Sequence, residues 1–361
     1  MMLDPSRNRR STMRVLFLAP DTHVYNHHFI QGLKSIGARV FAIGPGPKPS
    51  PRLARLLDGY APCSRLLDVE PMLKTAAQRG GGAFVRIERI DEPLVEMAAT
   101  LRERLDVAGL SVETARLCRD KVAMKEFLRA HDIPCAQTTR ATKPDEVHAF
   151  AEQCGFPLIV KPVAGFGSLQ TWRLTSTSEV DDLLSTTTVS EASPAAVEEY
   201  VEGHEGFYDT ITDAGGVRHD FASHYYPGCL EATHDRSISP QIAVTNRVDS
   251  DDGGGYDELR EMGSRVVEAL GLHGCATHME WFFGPKGLKF SEIGARPAGE
   301  KIWDMYKFAN EFDVYREWAL ATFGKPAQEQ PSRKYAAGSI QIRPDKDGTF
   351  TGHDGLEQVW P

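Results

Sequence analysis

From Arg14 onward the chain alternates short β-rich runs with helical ones, and this alternation confines its first hundred residues to a parallel α/β layer. Arg14-Val-Leu-Phe-Leu-Ala19 reads as a strand and His28 to Ile36 as a helix ended by Gly37. Ala38 to Ile43 reads as the next strand, closed by Gly44-Pro-Gly-Pro47, and Ala83 to Ile87 as a further one. Pro93 to Leu105 reads as a helix led by the acidic pair Asp91 and Glu92. The turn after the first strand, Ala19-Pro20-Asp21-Thr22, carries no G-x-G-x-x-G glycines. Without them a backbone cannot approach a pyrophosphate closely, so the layer is Rossmann-like but not a dinucleotide site.

Two further units follow. Near Ser111 the pattern changes to helices at Asp120 to His131 and Asp145 to Cys154, then strands at Phe156 to Lys161 and Thr171 to Leu174. From Ala195 come several strands, the Asp251-Asp-Gly-Gly-Gly255 loop, and a helix from Tyr256 to Leu270. Strand-like runs around Glu280 and Glu292, an aromatic helix after Pro297 and a returning strand from Tyr335 to Arg343 complete it. The expected organisation is a disordered tail at 1–12, a Rossmann-like domain at 13–112, a small lid region at 113–194 and a catalytic lobe at 195–361. The fold class is α/β, with an α+β C-terminal part.

Charge and cysteine usage narrow the function. With 41 Lys+Arg against 50 Asp+Glu the net charge is −9, which argues against a nucleic-acid protein with a basic footprint over its whole surface. No apolar run approaches the length of a membrane helix, and the basic stretch Arg7 to Arg10 precedes only a strand-length apolar run, so neither a membrane span nor a secretory signal is expected. The six cysteines show no C-x-x-C spacing and read as free thiols of a cytoplasmic protein.

Chemistry-bearing residues gather in three segments. Ala276 to Phe283 and Leu288 to Gly294 flank Gly284-Pro-Lys-Gly287 and read as a hairpin. A three-residue loop, with Gly287 in the left-handed position, sets Gly284 opposite Leu288, Glu280 opposite Glu292 and His278 opposite Gly294. Facing carboxylates destabilise a ladder, and a shared divalent cation bound together with substrate phosphates reverses that cost. In Leu158-Ile-Val-Lys-Pro162 a buried strand delivers Lys161 to a glycine turn holding Gly165, Gly167 and Ser168, whose N–H groups suit phosphate oxygens. In Ala196-Val-Glu-Glu-Tyr-Val-Glu-Gly-His-Glu205, backbone groups near Glu199 and Val201 suit an adenine edge and Glu205 suits ribose hydroxyls.

Taken in this order with Arg119-Asp-Lys-Val-Ala-Met-Lys125, the segments resemble the ATP-grasp superfamily from about Arg14 to Phe323. The resemblance implies that Lys121 and Lys161 contact ATP and that the loop from Gly165 to Ser168 closes over its phosphates. It makes Glu198 to Val201 the adenine hinge, including Glu199, and Glu205 the ribose ligand. It assigns Mg2+ (or Mn2+) to Glu280 and Glu292, and gives Arg296 and Lys161 catalytic roles at the acyl-phosphate end. One departure stands out: the family's Glu-x-Asn-x-Arg is Glu292-Ile-Gly-Ala-Arg296 here, and Gly294 has no side chain to ligate a metal. His278 or a water is expected in the vacated space.

The His-x-Glu at 278–280 and Glu-Ile-Gly-Ala-Arg-Pro-Ala-Gly at 292–299 look closest to amino-acid ligases. The resemblance therefore implies an ATP-dependent carboxylate–amine ligase that joins small amino-acid-like substrates through an acyl phosphate, with homodimers common among relatives. A bicarbonate-activating enzyme and a non-catalytic ATP-binding module are the alternatives. Arg247 is a candidate clamp for a substrate carboxylate, with His224, Glu231, Arg236 and His278 as further substrate candidates, and Glu300 and Asp304 are candidates to face an amine.

Overall fold

The computed structural model describes residues 13–79, 84–165, 167, 170–250, 256–344, 346–349 and 351–352. The tail at 1–12, Ala83, Ser168 and the loop at 251–255 lie outside the described residues. Strands β1 (Arg14–Leu18) and β2 (Arg39–Gly44) are largely buried, as strands of a helix-covered parallel layer must be. They pair in parallel, Val15 opposite Val40 and Phe17 opposite Ala42. With β3 (Gly59–Pro62) and β4 (Arg86–Glu88) they form a sheet of order β3-β2-β1-β4, parallel throughout. The edge strand β3 carries no period-2 signal; its Gly and Pro ends suit an edge.

The middle sheet comprises β5 (Thr138–Ala141), β6 (Leu158–Pro162), β7 (Trp172–Leu174) and β8 (Ala195–Glu199), ordered β5-β8-β6-β7 and antiparallel. Helices Pro144–Cys154 and Thr177–Thr186 cover one face through Val147, Phe150, Val180 and Leu183. This sheet reaches Glu199, past the 194/195 division drawn from the sequence.

The third sheet is antiparallel: β9 (His204–Asp213), β10 (Gly216–Tyr226), β11 (Gln241–Val244), β12 (Ala276–Gly284), β13 (Gly287–Gly294) and β14 (Ala337–Ile340), in the order β13-β12-β9-β10-β11-β14. Helix Asp257–Leu270 lies beneath it, packing Leu259, Met262, Val266 and Leu270 near Met279, Trp281 and Phe290.

The hairpin of β12 and β13 differs from its expected turn. Gly284 pairs with Gly287, so the loop holds only Pro285 and Lys286, and Phe283 faces Leu288. A register shift between Glu280 and Trp281 then leaves Ser291 as the extra residue, and it restores Glu280 opposite Glu292 and His278 opposite Gly294. Local turn chemistry does not reveal a bulge several residues away, so the expected loop was one residue too long while the facing carboxylates were placed correctly.

The aromatic segment after Pro297 is two helices, Ile302–Asn310 and Val314–Thr322, not one. Glu311 takes a left-handed φ of 50°, and Asp313 caps the second helix by accepting from Arg316 N at 3.2 Å. Trp303, Tyr306, Phe312, Tyr315 and Trp318 are buried; Phe308 is exposed. These helices join the first lobe to the third sheet. Helix Asn26–Ser35 approaches Val314–Thr322 so closely that a Cβ at Gly32 would collide with the Tyr315 carbonyl.

A candidate nucleotide site between two sheets

The middle and third sheets meet around a cavity of about 540 Å³. Eleven of the positions singled out from the sequence line it: Lys121, Lys161, Gly165, Gly167, Glu198, Glu199, Val201, Glu205, Glu231, Glu280 and Glu292. Lys161 arrives near the end of β6, Glu198 on the neighbouring β8, and Glu292 near the end of β13. Lys121 occupies the first turn of helix Lys121–Arg129, whose N-cap Asp120 accepts from Val122 N at 3.2 Å and Ala123 N at 3.0 Å.

Charge is tightly paired here. Lys121 Nζ lies 3.2 Å from Glu292 Oε2 and donates to the Gly165 carbonyl at 2.8 Å. Burial opposes ionisation of Glu292, yet Lys121 and then Lys161 hold its carboxyl down at about 2. Glu198 bridges two ammonium groups, Lys125 Nζ at 2.6 Å and Lys161 Nζ at 3.0 Å. Burial disfavours the Glu198 carboxylate, but the two lysines outweigh it and keep it ionised. Burial likewise opposes charge on Lys161; Glu198 and Glu292 overcome it and raise its pKa. Lys125, 1% exposed, is driven down by burial despite Glu198. Sequence reasoning gave Lys125 no role. Its spacing of four from Lys121 on one helix face was the available signal.

The hinge strand is used differently by its two glutamates. Glu198 turns inward onto the lysines. Glu199 accepts from Gln137 N at 3.2 Å and pairs with Lys286 Nζ at 3.0 Å. Glu205 accepts from Cys229 N at 2.6 Å; burial first, then the Glu280 charge, raises its pKa to about 8.

A second polar group adjoins the facing glutamates Glu280 and Glu292. His278 shares hydrogen-bonding distance, 2.7 Å, with Asp209 Oδ1, and its Nε2 lies 3.7 Å from Glu280 Oε1. The Tyr306 hydroxyl donates to Asp209 Oδ2 at 2.7 Å. Burial lowers the His278 pKa, but Asp209 outweighs it and the ring titrates at about 9. Arg296 pairs with Glu92, which also pairs with Arg119 Nη1 at 3.1 Å. The space beside Gly294 is therefore not filled by His278: a Cβ there would stand 3.0 Å from Glu92 Oε2, and Glu92 comes from the first lobe. Asp209, Tyr306 and Glu92 carried no local motif; they meet the site only through sheet pairing and lobe packing.

The substrate candidates scatter. Glu231 lines the cavity; Arg247 and Glu300 do not. Arg247 is exposed just beyond β11, and Glu300 accepts from Gln341 on the surface. His224 is bound up between His204 Nε2 at 2.8 Å and the Tyr256 hydroxyl at 2.7 Å. Arg236 pairs with Asp347 at 3.0 Å, and Asp304 accepts from Tyr315 at 2.8 Å.

Known proteins resemble this chain in sequence and in fold. Residues 120–214 match the family model described as carbamoyl-phosphate synthase L chain, ATP binding domain. An L-arginine-specific L-amino acid ligase of Bacillus subtilis is 27% identical over 227 residues, covering 61% of this chain and 53% of that protein. An alanine–anticapsin ligase of Bacillus subtilis strain 168 is 29% identical over 232 residues, covering 59% and 47%. The chain thus spans about half the length of these relatives. Among solved structures, an L-amino acid ligase from Bacillus licheniformis superposes with a TM-score of 0.75 at 18% identity over 96% of this chain and 84% of its own. The biotin carboxylase domain dimer of Hydrogenobacter thermophilus 2-oxoglutarate carboxylase, solved with MgADP, gives 0.68 at 16% identity over 90% and 73%. With its three sheets and the lysine–glutamate cavity between two of them, the chain has the ATP-grasp fold.

Proposed function

We propose that the chain is an ATP-dependent carboxylate–amine ligase that forms an amide bond between amino-acid-like substrates, releasing ADP and phosphate. The observation that carries this reading is the convergence of Lys121, Lys161, Glu280 and Glu292 on one cavity beside the hinge strand. The similarity to amino-acid ligases supports the choice of substrates.

In this reading the adenine sits against the hinge near Glu199 and Val201, and Glu205 accepts from ribose hydroxyls. Lys121 and Lys161 neutralise phosphate oxygens, with the Gly165–Gly167 turn offering main-chain N–H groups; Ser168 belongs to the same assignment. Glu198 keeps the two ammoniums Lys125 and Lys161 in place. Phosphoryl transfer needs little more than positioning and charge neutralisation, and these residues supply both. Arg296, steered by Glu92, faces the acyl-phosphate end, where the amine displaces phosphate. His278, held by Asp209, orients Glu280.

Glu280 and Glu292 fit a small hard cation, being facing carboxylates in one cavity wall. Among the described residues no group of three His, Cys, Asp or Glu side chains forms a complete metal cage, which suits Mg2+ shared with substrate phosphates. Bound there, the ion would offset the negative charge of the transferring phosphoryl group. A cytoplasmic setting and a homodimer belong to the same proposal. In support of the first, the six cysteines are free and no helix among the described residues is long and apolar enough to cross a membrane.

The test is phosphate release from ATP and Mg2+ over a panel of amino-acid pairs and over bicarbonate. Turnover with an amino-acid pair and not with bicarbonate supports the ligase. Turnover with bicarbonate alone, or tight ATP binding without any turnover, overturns it. Glu292→Gln should lower turnover by roughly 100-fold or more; near wild-type activity discards the metal assignment.

A further inference from the structure

A second cavity, about 490 Å³, lies where the first lobe meets the catalytic lobe and shares no lining residue with the nucleotide cavity. Its wall includes Arg86, Arg89 and Arg102 from the first lobe, Ala276 at the start of β12 and Thr322 at the end of helix Val314–Thr322. Ala276 stands four residues from Glu280, roughly 13 Å along an extended strand, so this cavity opens at the far end of β12 from the nucleotide.

Two of these arginines, Arg89 and Arg102, are buried and incompletely paired, whereas the half-buried Arg86 donates to the Thr322 and Val85 carbonyls. Arg89 is 4% exposed and Arg102 is 5% exposed. Arg102 donates to the Ile87 carbonyl through Nη2, and Arg89 to the Ala295 carbonyl through Nη2. Among the described residues, Arg102 Nε, Arg102 Nη1, Arg89 Nε and Thr322 Oγ1 have no hydrogen-bond partner. The one carboxylate in the wall, Glu88, stays 4.0 Å from Arg102, beyond hydrogen-bonding distance, and burial raises its pKa. Three guanidiniums thus share a single carboxylate, which ion-pairs with Arg102 without a hydrogen bond. Burial and the neighbouring positive charges of Arg89 and Arg86 pull the Arg102 guanidinium down to about 10 against the opposing pull of Glu88.

A guanidinium has donors and no acceptor. Unpaired buried donors are costly, and the wall's orphans are three guanidinium N–H groups and a hydroxyl. An oxyanion carries acceptors for such donors and also balances the positive charge of the wall. Arg102 is held in place by close packing on Gly109, where a Cβ would stand 2.7 Å from its Cδ and Nε.

We propose that this cavity binds a small oxyanion, a carboxylate or phosphate group, through Arg89 and Arg102, independently of the nucleotide site. The test is calorimetric titration of the full chain, saturated with ADP and Mg2+, with inorganic phosphate in one arm and glutarate in the other. The expected result is saturable binding of at least one anion, one per chain, weakened at least tenfold in Arg102→Gln. Thr114→Glu places a carboxylate in the same wall from an existing helix and leaves the buried arginines intact. It should weaken binding by a similar factor, while Lys161→Met leaves it unchanged. The two arms distinguish phosphate from carboxylate. Absence of saturable binding in both arms, or binding that survives Thr114→Glu and disappears in Lys161→Met, overturns the proposal.

Discussion

Replacing Glu198 by Gln tests the charge logic of the nucleotide cavity most directly. Glu198 is the carboxylate shared by two buried ammoniums, at 2.6 and 3.0 Å. With an effective dielectric of about 20, the two contacts carry roughly 6.4 and 5.5 kcal/mol of Coulomb attraction, about 12 kcal/mol in all. Most of that offsets the cost of burying the three charges, and experience with broken buried pairs leaves a net loss of ~3–5 kcal/mol. Lys125→Met is the control. It removes one ammonium and leaves Glu198 paired with Lys161, so the loss should stay near that of one charged hydrogen bond, ~1.5–3 kcal/mol, less the relief of no longer burying Lys125. The assay is urea unfolding of the nucleotide-free protein followed by tryptophan fluorescence, repeated with a non-hydrolysable ATP analogue. Glu198→Gln should lower the midpoint more than Lys125→Met. The analogue should recover part of the Glu198→Gln loss, because its phosphates supply negative charge beside Lys161. Equal midpoints for the two variants, or a loss below ~1 kcal/mol for Glu198→Gln, would refute the reasoning.

Three further outcomes follow from particular contacts. Gly294→Asn should weaken turnover because its Cβ presses on Glu92 Oε2 at 3.0 Å; the double variant Glu92→Ala/Gly294→Asn should be less impaired than the two single losses combined, and strict additivity in steady-state kinetics counts against the packing account. Gly32→Ala should cost ~1–3 kcal/mol by driving a methyl into the Tyr315 carbonyl, seen as a lower melting temperature; an unchanged melt means the two helices separate freely. His224 titrates at about 4, lowered by burial and then by His204, against ~6.5 in an unfolded chain. Its native form is therefore neutral, and as pH falls from 6.5 toward 4 the unfolded state binds a proton that the native state refuses. Stability should drop over that window by ~1–2 kcal/mol after allowing for partial exposure, and His224→Gln should flatten the loss; parallel pH profiles of the two proteins would exclude His224 as the source.

Much of the site was legible because its parts are local. Lys161 stands near the end of an apolar strand, Gly165 and Gly167 in the turn behind it, and Glu205 seven residues beyond Glu198. Glu280 and Glu292 were placed opposite one another by counting across a hairpin. The count reached the right pair although the loop was one residue shorter than expected, because a bulge at Ser291 made up the difference. The break of the aromatic helix at Glu311 was less visible, since the apolar spacing continues through it and only the left-handed residue and the Asp313 cap divide it.

By itself the sequence determined most element types, the parallel first layer and the facing of Glu280 and Glu292. These follow from period and from spacing within a few tens of residues. Tertiary structure alone decided which charges meet. Lys125 finds Glu198 across 73 residues, Asp209 finds His278 across 69, and Glu92 finds Arg296 across 204. No local pattern encodes such pairs. They arise when apolar burial docks one lobe on another, and the buried polar groups then settle on whichever partners that packing brings within reach.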